Sequence, residues 1–186
     1  MLYLASRSLR RRMLLRSLHR RFRVVRSSYR ERISCRLPPS ANAVRNAVGK
    51  TRRARLPRGA RGIVIGADTF LYVQGRVIGK PKTLSEACRT VRRLAGRSHW
   101  VYTGLCLRDI GTGRMRTGWV RTRVTFNPLR AGAIRRIVAR MRPLDKAGGY
   151  AVQGDGGALI ARIDGSRTNV IGLPMELLRR ELARFK

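Results

Sequence analysis

Glu31 is the single carboxylate among the 19 basic residues of the first 67 positions, and Asp68 is the next acid after it. Asp68 follows the apolar run Gly62-Ile63-Val64-Ile65 within GADT (66–69). An acid at the C-terminal end of a buried strand, kept in a chain so poor in negative charge, suits chemistry on a metal-bound phosphate. Ser6, Arg10 and Arg11 stand where a strand turns into a helix. Backbone N–H groups point outward there, the helix dipole favours anions, and guanidinium groups add charge-assisted hydrogen bonds. The same pattern also describes an ordinary solvated basic helix end. Lysine is rare, five against 38 arginines, so Lys50, Lys80 (in GKP, 79–81) and Lys146 (in DKAGG, 145–149) mark places where a compact point charge is wanted. Gln153 offers a donor and an acceptor that could read the edge of a base.

These groups need a scaffold. Leu2 to Ala5 reads as a short buried strand, Ser8 as a helix N-cap, and Met13, Leu14, Leu15 and Leu18 as one helical face. Phe22 to Val25 is a second strand and 26–40 a loop. Ser40 is expected to cap a helix over Ala41 to Ala54, followed by a strand over 62–67. A hairpin then joins Phe70–Val73 to Arg76–Gly79 through Gln74-Gly75. Leu84 to Ala95 is amphipathic and stops at Gly96. Two β-prone runs, Trp100–Ile110 and Trp119–Phe126, precede a helix from Pro128 to about Met141. The Gly-rich stretch 143–157 reads as loop, 158–163 as a last strand, and Met175–Phe185 as a last helix behind Pro174. Helices and strands alternate around a central hairpin pair, the pattern of an α/β protein on a mixed sheet.

Composition bounds the partners. A formal charge of +34 favours polyanions. The arginine excess fits either such a partner or a genome that favours arginine codons. Cys35, Cys88 and Cys106 lie far apart without a CxxC, and His19 and His99 are isolated, so neither a zinc site nor a disulfide framework is indicated. Reduced thiols fit the cytoplasm or an organelle matrix. No apolar run approaches the ~20 residues that span a bilayer. The opening 28 residues have the composition of a mitochondrial transit peptide. They also supply the strand, turn and helix that carry Ser6, Arg10 and Arg11, so the cytoplasm is expected and the mitochondrial matrix is the alternative.

In chain order, LASRSLRRRMLL (4–15), Glu31, Lys50, GADT, GKP, YTG (102–104), DKAGGYAVQG (145–154) and GSRTNVIGLP (165–174) resemble the Maf family of nucleoside triphosphate pyrophosphatases. The likeness runs from Leu2 to about Leu178. It implies one domain over 1–186: a mixed twisted sheet flanked by helices, of anticodon-binding and ITPase-like architecture, with a cleft between two lobes. It implies hydrolysis between the α and β phosphates with Mg or Mn, and a homodimer is a further expectation. Carried over by position, Ser6, Arg10 and Arg11 hold the phosphates. Glu31 and Asp68 organise the metal and the attacking water, with Asp68 as proton acceptor. Lys50 and Lys80 neutralise the triphosphate, and Gln153 lies near the base. Arg10, Thr69 and Gln153 fall at positions tied to substrate choice, and DKAGGYAVQG looks like the branch acting on dTTP and UTP. The chain departs from the family pattern at Leu9 (usually Pro), Gly49 (usually an acid) and Arg167 (usually aromatic). The alternative from another class is a catalytically idle Maf-like fold bound to RNA, such as an organelle-ribosome subunit.

Overall fold

The computed structural model describes residues 1–141, 143–152 and 154–185. Leu2–Leu4 (β1) lies in parallel between Phe22–Val24 (β2) and Ile63–Val73 (β3), with Leu4 level with Val24 and Ile65. Parallel neighbours cannot be joined by a tight turn. Leu9–Arg16 (α1) therefore connects β1 to β2, and Pro39–Arg52 (α2) comes between β2 and β3. Ser8 caps α1 as expected, accepting from the Arg11 N–H. The inward face of α1 holds Leu15, with Leu14 and Leu18 packed on the same core as expected, but it also takes in Arg11, four residues before Leu15, while Met13 is 60% exposed. A 3.6-residue repeat places only one or two residues per turn inward, and here one of them is an arginine.

At the start of α2, Ser40 is not the cap. The helix begins with Pro39 behind Pro38, and no side chain caps it. Proline suits the first helical position because the N–H it lacks would be unpaired there. The buried Asn42 ties down the preceding loop instead, donating to the carbonyls of Ser34 (2.9 Å) and Leu37 (3.0 Å) and accepting from the Ser34 N–H (2.9 Å).

β3 is longer than the sequence suggests. GADT does not end a strand; Asp68 and Thr69 lie in the middle of one strand of 11 residues. The strand continues by changing partners, from parallel β1 at Ile63–Ile65 to antiparallel Arg76–Ile78 (β4) at Leu71–Val73. Gln74 and Gly75 make the connecting turn with φ of 46° and 77°, the left-handed pair a two-residue hairpin requires. Gly66 has a separate purpose: a Cβ there would sit 2.6 Å from the Ala47 carbonyl oxygen, so its absence lets α2 press onto β3.

Leu84–Leu94 (α3), Ser98–Asp109 (β5), Met115–Phe126 (β6), Ala131–Arg140 (α4), Ile160–Asp164 (β7), Arg167–Ile171 (α5) and Met175–Ala183 (α6) complete the chain. α4 starts three residues after Pro128, and the one-turn α5 has no sequence signal. The Gly-rich stretch forms short 3₁₀ turns at Pro143–Asp145, Ala147–Gly149 and Gly154–Leu159. The sheet has seven strands in the order β2-β1-β3-β5-β6-β7, with β4 on β3. A mixed sheet with helices is the expected α/β class. Among the described residues no helix is long and apolar enough to cross a membrane.

The chain divides into two compact units. The first is Met1–Thr69, Thr103–Val120 and Gly172–Lys186; the second is Phe70–Tyr102 and Arg121–Ile171. The first buries Leu4, Leu15, Ile65, Leu105, Leu173 and Leu178 together. The second is built on Val91, Leu94, Phe126, Ile134, Val138 and Leu159. His99 is sealed into this second core, edge-on to Phe126 and Tyr150, with Nε2 2.7 Å from the Tyr150 hydroxyl. Its burial pushes the imidazole down to about 4. An unfolded histidine protonates below about pH 6.5, whereas this folded one stays neutral until about pH 4. The unfolded chain thus binds the extra proton, and stability falls as pH drops through that window, by roughly 3 kcal/mol in full. Urea midpoints at pH 7 and 4.5 are expected to diverge less in His99→Phe than in the wild type; equal divergence would refute the assignment.

Candidate active site

Asn46 and Lys50 are four residues apart on α2, on the face that lies over β3. The Lys50 ammonium donates to Asp68 Oδ1 at 2.7 Å and to the Ala67 carbonyl at 3.0 Å, and it pairs with Glu31 Oε1 at 2.6 Å. All three of its N–H donors are therefore used. The Lys50 and Asp68 side chains keep 10% and 6% of their exposure and Glu31 keeps 43%, so the bridge runs from the interior to the surface. Asp68 Oδ2 accepts a further hydrogen bond from Asn46 Nδ2 at 2.7 Å.

Thr69 follows Asp68 on a pleated strand, so its side chain leaves on the opposite side. It meets α1 there. Arg11 Nη2 donates to Thr69 Oγ1 at 3.0 Å, Nη1 to Ser6 Oγ at 3.2 Å, and Nε to the Gly172 carbonyl at 2.7 Å. Thr69 Oγ1 also lies 2.9 Å from Thr103 Oγ1. Described residues thus engage three of the five guanidinium N–H groups. Burial lowers the Arg11 pKa, the charges of Asp68 and Glu31 raise it, and neighbouring Arg10 lowers it again. Arg11 and the two carboxylates therefore belong to one electrostatic neighbourhood. Arg10 is half-buried at the start of α1.

The second unit holds other residues singled out in the sequence. Lys80 is exposed just after β4. The Gly79 carbonyl accepts from the Gly148 N–H at 2.8 Å, which joins GKP to DKAGG. Lys146 pairs with Asp145 at 2.6 Å. Asn169 of NVIGLP is buried and donates to the Val101 carbonyl (3.1 Å) and Thr122 Oγ1 (2.9 Å). Gln153 lies outside the described residues.

The first unit thus gathers Ser6, Arg10, Arg11, Glu31, Lys50, Asp68 and Thr69. A family model described as Maf-like protein matches residues 1–185. The chain belongs to the Maf-like family. Among its relatives, a Gloeobacter violaceus protein named dTTP/UTP pyrophosphatase is 41% identical over 184 residues, covering 99% of this chain and 95% of that protein. Proteins of the same name from Pelotomaculum thermopropionicum and Thermococcus kodakarensis are 41% identical over 182 residues and 39% over 178. The alignments cover 98% and 96% of this chain, and 95% and 93% of those relatives.

For this Maf-like chain the donor set bears on the metal. Among the described residues no group of three or more His, Cys, Asp or Glu side chains could hold an ion. Two carboxylates already converge on one cation, Lys50 Nζ. That pair fits Mg²⁺ or Mn²⁺, since Mg²⁺ keeps several waters and also takes substrate phosphate oxygens. Sequence reasoning missed Asn46. Its signal was an amide four residues before Lys50, on the helix face that it shares with Asn42, Ala43 and Ala47.

Proposed function

We propose that this Maf-like protein hydrolyses nucleoside triphosphates, dTTP and UTP by preference, at the α–β anhydride, yielding monophosphate and pyrophosphate. The observation that carries the proposal is the Lys50 ammonium held between Glu31 and Asp68, in one unit with the Arg11–Ser6–Thr69 cluster. The relatives' names support the choice of substrate. Glu31 and Asp68 would hold a divalent cation, which when bound offsets phosphate charge and acidifies a coordinated water. Asp68 takes the proton of the attacking water. Ser6, Arg10 and the two remaining Arg11 N–H groups seat the phosphates. Lys50 and Lys80 offset charge that develops on departing pyrophosphate. Arg10, Thr69 and Gln153 bear on which base is accepted. The chain acts as a single domain and works in the cytoplasm as a homodimer. Its +34 charge adds non-specific nucleic acid as a second, salt-sensitive partner.

The test is product analysis with purified protein and Mg²⁺ or Mn²⁺ across the common triphosphates. Monophosphate and pyrophosphate, fastest from dTTP and UTP, are expected. Orthophosphate with a diphosphate product would overturn the reaction. Preference for a methylated GTP would overturn only the base assignment.

A further inference from the structure

Asn46 is fully buried on α2, and a buried amide needs partners at both ends. Its partners are specific. Nδ2 donates to Asp68 Oδ2, while Oδ1 accepts from the Tyr29 hydroxyl at 3.2 Å and from the Arg32 backbone N–H at 3.0 Å. Tyr29 and Arg32 flank Glu31. One side chain therefore joins the strand that carries one carboxylate to the loop that carries the other.

Gly49 makes this possible. A Cβ at position 49 would fall 2.2 Å from Cε2 of the Tyr29 ring. With no side chain there, the ring lies against the helix and its hydroxyl reaches Asn46. Residues 29–34 have no regular secondary structure, so no backbone ladder fixes Glu31, and these side-chain contacts do so instead.

We infer that Asn46 is a positioning residue that sets the spacing of Glu31 and Asp68 as a cation site, with Tyr29 and Gly49 as its supports. This rests on the proposed role of the two carboxylates. Lys50 ties the same pair by charge, but it does so by occupying the space between them. Asn46 grips Asp68 from its other oxygen and the Glu31 loop from behind, so the spacing survives when a divalent cation takes that space. Hydrogen-bonding partners of ligating carboxylates typically change metal affinity about 10- to 100-fold when removed.

The test compares wild type with Asn46→Leu, which keeps the bulk and loses both hydrogen-bonding ends. Tyr29→Phe loses only the hydroxyl and serves if Asn46→Leu does not fold. Two readouts need no turnover: hydrogen exchange at the Arg32 amide, and calorimetric titration of nucleotide-free protein with Mn²⁺. In Asn46→Leu, Arg32 exchange is expected to quicken and Mn²⁺ affinity to fall about tenfold. In turnover, kcat should drop while KM for the nucleotide holds. Tyr29→Phe should move the same quantities in the same direction by roughly threefold, a fraction of the effect of losing Asn46 itself. Faster exchange with unaltered Mn²⁺ affinity would leave Asn46 merely structural and overturn the inference, as would no change in either. A wild type that binds Mn²⁺ yet releases no pyrophosphate would sink the proposed function and leave the positioning role standing.

Discussion

Asp68→Asn is expected to cut kcat at least about a thousandfold, close to 4 kcal/mol of barrier. The amide can neither take a proton from water nor bind a divalent cation well, yet it has the same shape. The fold should survive at some cost, because Asn46 already presents its Nδ2 to Asp68 Oδ2. An amide at 68 must point its own NH₂ at that donor or at the Lys50 ammonium. Two donors facing each other in a buried site cost about 1–3 kcal/mol. The exchange Asn46→Asp with Asp68→Asn removes that conflict by swapping acceptor and donor. It should recover thermal stability while remaining inactive, which separates the chemical loss from the structural one. Pyrophosphate release and thermal melts of the wild type and the two variants decide it. If Asp68→Asn keeps more than about a tenth of wild-type turnover, a loss under ~1.4 kcal/mol, Asp68 is not the central acid.

Rare residue types made much of this site legible. In a chain with 38 arginines and few acids, Glu31, Lys50 and Asp68 stood out, and the fold brings them onto one ammonium. What misled was local punctuation. The polar pair Asp68-Thr69 reads as a strand end, but β3 runs through it because its partners change from parallel to antiparallel, which no short window shows. Apolar periodicity likewise found Leu14, Leu15 and Leu18 on the inward face of α1 but could not show that Arg11 shares it. Asn46 escaped because an amide in a helix is ordinarily assigned to solvent. A glycine inside a helix, as Gly49 is in α2, costs about 1 kcal/mol relative to Ala. The Tyr29 ring gives that glycine its reason, and the contact spans 20 residues of chain that no spacing rule relates.

Lys50→Met should be the variant most damaging to the fold. Methionine follows the path of the lysine stem but brings no charge, so the buried Asp68 keeps Asn46 as its partner and loses its counter-ion. Removing one member of a buried ion pair typically costs 3–5 kcal/mol. Glu31, more exposed and hydrated, suffers less. For a chain of this length about 3 kcal/mol lowers the melting temperature by roughly 6–12 °C. A divalent cation should reverse part of that loss, because Glu31 and Asp68 then converge on an unfilled space that suits a hard cation. Binding to the folded state alone stabilises by RT ln(1 + [L]/Kd), about 2.7 kcal/mol at a hundredfold excess over Kd. Wild type must displace an ammonium for the same ion and should gain less. Melting curves of both proteins, in chelator and across a Mn²⁺ series, make the comparison. A variant that melts with wild type in chelator would mean that the Lys50 bridge carries little of the fold. Equal gains from Mn²⁺ in the two proteins would mean that the cation binds somewhere other than between Glu31 and Asp68.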